Sequence, residues 1–295
     1  MLPALLAQLL ALCAFGPARV ADASSAPDFE AGVAQLGAVD AEALGPLTAN
    51  AAIVIDLISG QVLYDVNADQ RLPPASTAKI MTALLTLEKG DLPAVATVSQ
   101  QAAAQPCTCM QVVAGEQLTV LDLLYGLLLP SGNDAAVALA QHEAGSVQTF
   151  VDRMNARAVE LGLDDTHFTN PHGLDNPANV MSVSDLASLA RYTLVHQPLF
   201  DQIVKTPTMT IPATATHHEF DLVNLNQLLG SYPGADGVKT GTTAAAGENL
   251  VGSATRDGRR LLAIVFGSSD RYAEVPMLLD HGFSNFFWLR PDLYY

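Results

Sequence analysis

Residues 51–67 read AAIVIDLISGQVLYDVN. Ala51–Leu57 predicts a buried strand, Ser59-Gly60 is a turn signal, and Gln61–Asn67 predicts a second strand. The pair is therefore expected as a hairpin. Working outward, a helix is expected after Pro73-Pro74, from about Ser76 to Glu88. Leu118–Leu129 predicts a strongly apolar helix closed by Pro130, and Asp134–Ala144 and Val147–Leu161 predict two more. Ser184–Val195 predicts a fifth, capped by Ser182 or Ser184. After Pro212 the pattern returns to strands: Gly237–Thr242, Asn249–Thr255 and Arg260–Gly267, the last two joined at Asp257-Gly258. Tyr272–Phe287 reads as a closing helix. Strands at both ends with helices between them predict one α/β domain of the α+β type, its terminal strands paired in one sheet around a helical insert.

Composition bounds what such a domain does. Of 295 residues, 49% are hydrophobic and 15% charged, enough to bury a large core. Lys and Arg number 14 against 30 Asp and Glu, a formal charge of −16. That balance lacks the basic footprint of a nucleic-acid binder. Met1 to Ala18 is apolar apart from Gln8 and ends near Ala21-Asp22-Ala23, a small-residue cleavage pattern. No basic residue precedes Arg19 to supply the usual charged start. Residues 1–23 are thus expected as a signal peptide, 24–45 (SSAPDFEAGVAQLGAVDAEALG) as a linker, and 46–295 as the folded domain. The protein is expected to be exported, periplasmic, extracellular or cell-wall associated, with N-terminal tethering as an option. No other stretch reads as a transmembrane helix. Cys13 would leave with the signal. Cys107 and Cys109, one residue apart, are expected as free thiols or a labile bridge. Their spacing lacks the second half of a zinc site.

Three short motifs carry chemistry. In PPASTAKIMTALLTL, Ser76 and Lys79 lie three apart and share a helix face, so the amine can reach the hydroxyl. A serine becomes a nucleophile when a base takes its proton, and a lysine serves as that base once burial or a nearby cation lowers its pKa. The bland reading is an N-cap serine and a snorkelling lysine. Ser131-Gly132-Asn133 follows Pro130. Ser131 could shuttle a proton towards a leaving amine and Asn133 could bind a substrate amide, although Ser131 with Asp134 also fits a helix cap. In GADGVKTGTT, Lys239 and Gly241 share one face of a strand. The cation could hold a carboxylate and the glycine could let a peptide lie along the edge. An exposed edge lysine is the alternative. Only four lysines exist (Lys79, Lys89, Lys205, Lys239), and two of them fall in these motifs.

Ser-x-x-Lys, Ser-Gly-Asn and Lys-Thr-Gly in that order form the signature of penicillin-recognising serine enzymes. The sequence resembles the D-alanyl-D-alanine carboxypeptidases among the low-molecular-mass penicillin-binding proteins. PASTAKIMTALL, GEQLTVLDLLYGLLLPSGNDAAVALA, HFTNPHGLD, YPGADGVKTGTTAAAGENLV and LLDHGFSNF carry the resemblance, from about Pro46 to Phe287. It implies a β-lactamase-like antiparallel sheet flanked by helices, with a helical subdomain. It implies Ser76 as nucleophile, Lys79 as general base, and Ser131 with Asn133 on the opposite cleft wall. Lys239 and Thr240, with Gly241 beside them, would hold the substrate's carboxylate end, and the N–H groups of Ser76 and Thr242 would form the oxyanion hole. The implied substrates are peptidoglycan stem peptides ending in D-Ala-D-Ala, and the implied covalent ligands are β-lactams. No cofactor, metal or obligate protein partner is expected. Relatives often carry a further β-domain and a C-terminal amphipathic anchor, and ending at Tyr295 this chain is expected to have neither.

Other readings use the same residues. A DD-endopeptidase on cross-links is the first alternative. A serine β-lactamase is disfavoured, because class A enzymes deacylate through a glutamate and none lies between Glu160 and Glu219. A non-catalytic muropeptide or penicillin receptor has no need of a nucleophile with its base. His217-His218-Glu219 lacks helical ligand spacing and is expected as a solvated loop. His172 is expected to stabilise a turn.

Overall fold

The computed structural model describes residues 33–35, 44–106 and 108–288. The chain runs β1 (Val33–Gln35), β2 (Ala51–Asp56), β3 (Val62–Val66), a 3-10 turn (Ala75–Ala78), α1 (Lys79–Lys89), β4 (Val95–Thr97) and α2 (Gln100–Ala103). Then come β5 (Gln117–Thr119), α3 (Val120–Leu128), α4 (Asn133–Ala144), α5 (Val147–Glu160), α6 (Val183–His196), α7 (Pro198–Val204), β6 (Thr208–Ile211) and β7 (Phe220–Val223). β8 (Ala235–Thr243), β9 (Gly247–Arg256), β10 (Arg259–Ser268), α8 (Arg271–Asn285) and β11 (Phe286–Trp288) complete it.

The main sheet has the order β3-β2-β10-β9-β8 and is antiparallel throughout. The first hairpin and the last three strands thus meet across the whole chain, as expected of terminal strands around a helical insert. Both faces are covered, which explains why β2 and β10 read as continuous apolar runs. On β2, Ile53 and Ile55 pack with the helices while Ala52 and Val54 pack with α8. On β10, Leu262, Ile264 and Phe266 face the first core and Leu261, Ala263 and Val265 the second. Asp257 and Gly258 both have positive φ, 49° and 75°, which makes the β9–β10 link the hairpin turn that matches strand twist.

Several boundaries differ from the sequence expectation. The helix expected from Ser76 opens as a 3-10 turn and becomes α-helical at Lys79. The helix expected from Leu118 starts at Val120, because Thr119 and Asp122 close a capping box and Gln117–Thr119 pair with β4. Ser182, not Ser184, caps α6. Strands resume at Thr208, ahead of Pro212. The closing helix ends at Asn285, and Phe286–Trp288 pairs with Val33–Gln35, inside the stretch read as a linker. The expected signal peptide lies outside the described residues. No helix among the described residues is long and apolar enough to cross a membrane.

Candidate active site

Ser76 sits in the 3-10 turn that leads into α1, where the helical insert meets the edge strand β8. The residue before it, Ala75, is fully buried with φ of 48°, a left-handed conformation costing on the order of 1–3 kcal/mol in a non-glycine residue. One turn on, Lys79 is completely buried. Its Nζ donates to Ser76 Oγ at 2.8 Å, Asn133 Oδ1 at 2.7 Å and the His172 carbonyl at 2.8 Å. The snorkelling reading is thereby corrected, since the amine has no route to water. Burial, and after it the Lys239 cation, pushes the Lys79 pKa well below its ordinary value, while Asp134 opposes the shift. The geometry sorts the three partners. A carbonyl and an amide oxygen only accept, whereas a hydroxyl also donates. A neutral Lys79 therefore keeps two N–H bonds to Asn133 and His172 and turns its lone pair to Ser76.

The Ser131-Gly132-Asn133 loop forms the opposite wall. Ser131 is buried with φ of 62°, and its Oγ has no hydrogen-bond partner among the described residues. The helix-cap alternative does not occur: Gly132 is the N-cap of α4, without a side-chain bond. Asp134 instead accepts from the N–H groups of Met110, Gln111 and Val112 at 2.9, 2.8 and 3.2 Å. The preceding segment is stitched to the motif as well. Asn133 Nδ2 donates to Pro106 O at 2.6 Å, Asn133 N to Thr108 O at 2.9 Å, and Thr108 Oγ1 to Ser131 O at 2.9 Å. Asn133 is thus bonded at both ends of its carboxamide, with one N–H without a partner among the described residues. Cys109, in the same segment, is disulfide-bonded. Of the two expectations for the thiols, the bridge is the one that holds for Cys109; Cys13 and Cys107 lie outside the described residues.

The third wall is β8. Gly241 lies against the serine turn so closely that a Cβ there would stand 3.0 Å from Ser76 N, 3.0 Å from Ala75 Cβ and 3.2 Å from Thr77 N. Lys239, on the same face, is buried, and its Nζ donates to Thr240 O at 3.0 Å. Burial, with the Arg271 guanidinium behind it, lowers the Lys239 pKa to about 7. Thr240 is buried, while Thr242 is exposed. The exposed edge lysine of the alternative reading is corrected by this burial.

Two participants were not legible as such. Arg271, at the start of α8, donates from one Nη1 to Gly241 O (3.1 Å), Thr242 Oγ1 (2.8 Å) and Asn249 O (3.3 Å), placing a second cation at that end of β8. His172 was read as a turn residue, and its Nδ1 does accept from Leu174 N at 3.2 Å. Its carbonyl also fixes Lys79, and burial beside Lys79 pushes its pKa down to about 3, so the ring is neutral. The family-like NPHGLD stretch was the signal for His172; Arg271 had none. His217-His218-Glu219 lies between β6 and β7, where His218 Nδ1 meets Glu116 Oε1 at 2.6 Å.

A five-stranded antiparallel sheet, a helical insert and a buried lysine bonded to a serine at their junction define the penicillin-recognising class of serine enzymes. Residues 38–270 match the family described as D-alanyl-D-alanine carboxypeptidase. DacF of Bacillus subtilis is 39% identical over 246 residues, covering 81% of this chain and 63% of that protein. DacB2 of Mycobacterium tuberculosis is 42% identical over 218 residues, covering 73% and 74%. Among solved structures, the D-alanyl-D-alanine carboxypeptidase of M. tuberculosis H37Rv has a TM-score of 0.77 at 37% identity, covering 87% of this chain and 96% of that one. The Streptomyces K15 DD-transpeptidase has a TM-score of 0.77 at 33% identity, covering 82% and 99%. This chain belongs to the D-alanyl-D-alanine carboxypeptidase family. It spans less than two thirds of the length of DacF.

Proposed function

We propose that this protein is a serine-type D-Ala-D-Ala carboxypeptidase that removes the terminal D-Ala from peptidoglycan stem pentapeptides and is acylated by β-lactams. The observation that carries the reading is the set of three acceptors around Lys79, which leaves its lone pair to Ser76 alone. Lys79 takes the Ser76 proton as Oγ attacks the carbonyl of the penultimate D-Ala. The oxyanion is met by the N–H groups of Ser76 and Thr242. Lys239 and Thr240 hold the terminal carboxylate, with Gly241 allowing the peptide to lie along β8, and Asn133 binds a substrate amide. Ser131, whose Oγ is buried and without a partner among the described residues, relays the proton from Lys79 to the leaving amine. The C–N bond breaks, free D-Ala departs, and water then cleaves the ester on Ser76 with the same groups moving protons. In a β-lactam the leaving amine stays tethered and blocks that water. We further propose that residues 1–23 direct export and that residues 46–295, with Val33–Gln35 paired onto Phe286–Trp288, form the peptidase domain, acting outside the cytoplasm.

Intact-protein mass spectrometry with penicillin tests the nucleophile and the class together. Wild type should carry one lasting penicillin adduct on the Ser76 peptide and Ser76→Ala none, with D-Ala released from a D-Ala-D-Ala peptide by wild type only. Rapid multiple turnover of penicillin would point to a β-lactamase. An adduct on another residue would overturn the assignment of Ser76.

A further inference from the structure

The strand that carries Lys239 contains one residue more than its neighbour. Ala235 stands opposite Ala254 and Gly237 opposite Ser253, so Asp236 is an extra residue, a bulge in the β8–β9 ladder. Because side chains alternate along a strand, one extra residue decides which face every later side chain presents. With the bulge, Lys239 stands opposite Val251 and Gly241 opposite Asn249. Val251 packs in the core shared with the helices, and Asn249 Nδ2 reaches Pro73 O at 3.0 Å, just ahead of the Ser76 turn. Continued without the bulge from the Ala235–Ala254 pair, the ladder would set Lys239 opposite Leu250. Leu250 packs in the α8 core, on the other side of the sheet.

The bulge is tied down from β9, its one neighbour in the sheet, and from β10 beyond it. The Asp236 carboxylate accepts from Ser253 Oγ in a short bond, from Thr255 Oγ1 at 2.6 Å and from Arg260 Nε at 3.1 Å. Its carbonyl accepts from Arg260 Nη2 at 3.1 Å. Arg260 is itself anchored, to Ser253 Oγ at 3.1 Å and to Asp201 on α7 at 2.6 Å. Both side chains are mostly shielded, Arg260 at 11% and Asp236 at 15% exposure, so water competes little for these bonds.

We infer that Asp236 is a positioning residue for the reaction: by pinning the bulge it sets the face of β8 on which Lys239 and Gly241 meet the carboxylate end of the substrate. The inference rests on the function proposed above. The test compares two substrates with the same acyl group, a peptide ending in D-Ala-D-Ala and a thioester whose leaving group has no carboxylate. Both are measured on wild type, Asp236→Ala and Asp236→Asn, with rates expressed per mole of chain that a saturating fluorescent penicillin labels, so that only folded enzyme is counted. For the peptide, kcat/KM should fall about tenfold or more, chiefly through KM, as expected for a misplaced charged hydrogen bond. The thioester, which uses the Thr242 N–H of the same strand but not Lys239, should fall severalfold less. Equal losses on both substrates, or no loss on either, would overturn the positioning role. If Asp236→Ala does not fold, the isosteric Asp236→Asn gives the same comparison. A wild type that penicillin does not label removes the underlying function, and the inference with it.

Discussion

Two buried lysines of one site are held in opposite ways. Lys79 has its three acceptors arranged so that loss of a proton leaves Ser76 as its only possible donor. Lys239 bonds to the carbonyl of its neighbour at 3.0 Å, which leaves donors free for an incoming anion. Its burial is costly in the absence of substrate, and this gives a prediction with a defined sign. An unfolded lysine keeps its proton to about pH 10.4, whereas burial lowers Lys239 to about 7. Between those values the unfolded chain binds more protons, so this residue makes wild-type stability rise with pH across the window. Lys239→Met should therefore lose activity on D-Ala-D-Ala peptides by about tenfold or more without a lower melting temperature at pH 7. Its advantage over wild type in melting temperature should shrink as pH rises from 7 towards 10. A variant that melts well below wild type at pH 7 would make Lys239 a structural support instead.

At the scale of elements, the site depends on segments that chain order keeps apart. The 3-10 turn, the loop before α4 and β8 each contribute one motif, and two of them hold a non-glycine residue at positive φ, Ala75 and Ser131. Such conformations persist only where the surroundings over-determine them. For Ser131 the surroundings are residues 106 and 108–112, bonded to the motif through Thr108, Asn133 and Asp134. Asp134 also acts at a distance, because its charge raises the pKa of Lys79. Asp134→Asn should have two separable effects. It turns an N–H towards backbone donors that now find carboxylate oxygens, costing on the order of 1–3 kcal/mol in denaturant unfolding. It also removes the charge that favours protonated Lys79, so the acid limb of the penicillin acylation rate should move to lower pH. An unmoved limb alongside lower stability would confine Asp134 to the loop.

Across the whole molecule, the sheet separates two cores and the site lies where the larger one meets the edge strand β8. The apolar surface of both sheet faces is covered, by helices of the insert on one side and by α8 on the other. The proposed export is a property at this scale too, motivated by the apolar run before Ala23. Fractionation of the native host followed by N-terminal sequencing should find the protein outside the cytoplasm, starting at about residue 24. A cytoplasmic chain starting at Met1 would sink that proposal.

The sequence by itself determined the sheet-forming runs, most helices and the three motifs. AAIVIDL, LLAIVF and the Ser-x-x-Lys spacing are local patterns whose period and residue types are readable without neighbours. Local reading also misjudged the detail: Ser131 and Asp134 looked like a cap, but Asp134 binds a segment more than twenty residues away. Only the tertiary structure decided that Lys79 is dry, that the His172 carbonyl and Asn133 share its protons, and that Arg271 backs β8. Burial and the fields of distant charges are sums over residues remote in sequence, so no window of the chain contains them. The same holds for the bulge at Asp236, since an extra residue is defined only against the strand it pairs with.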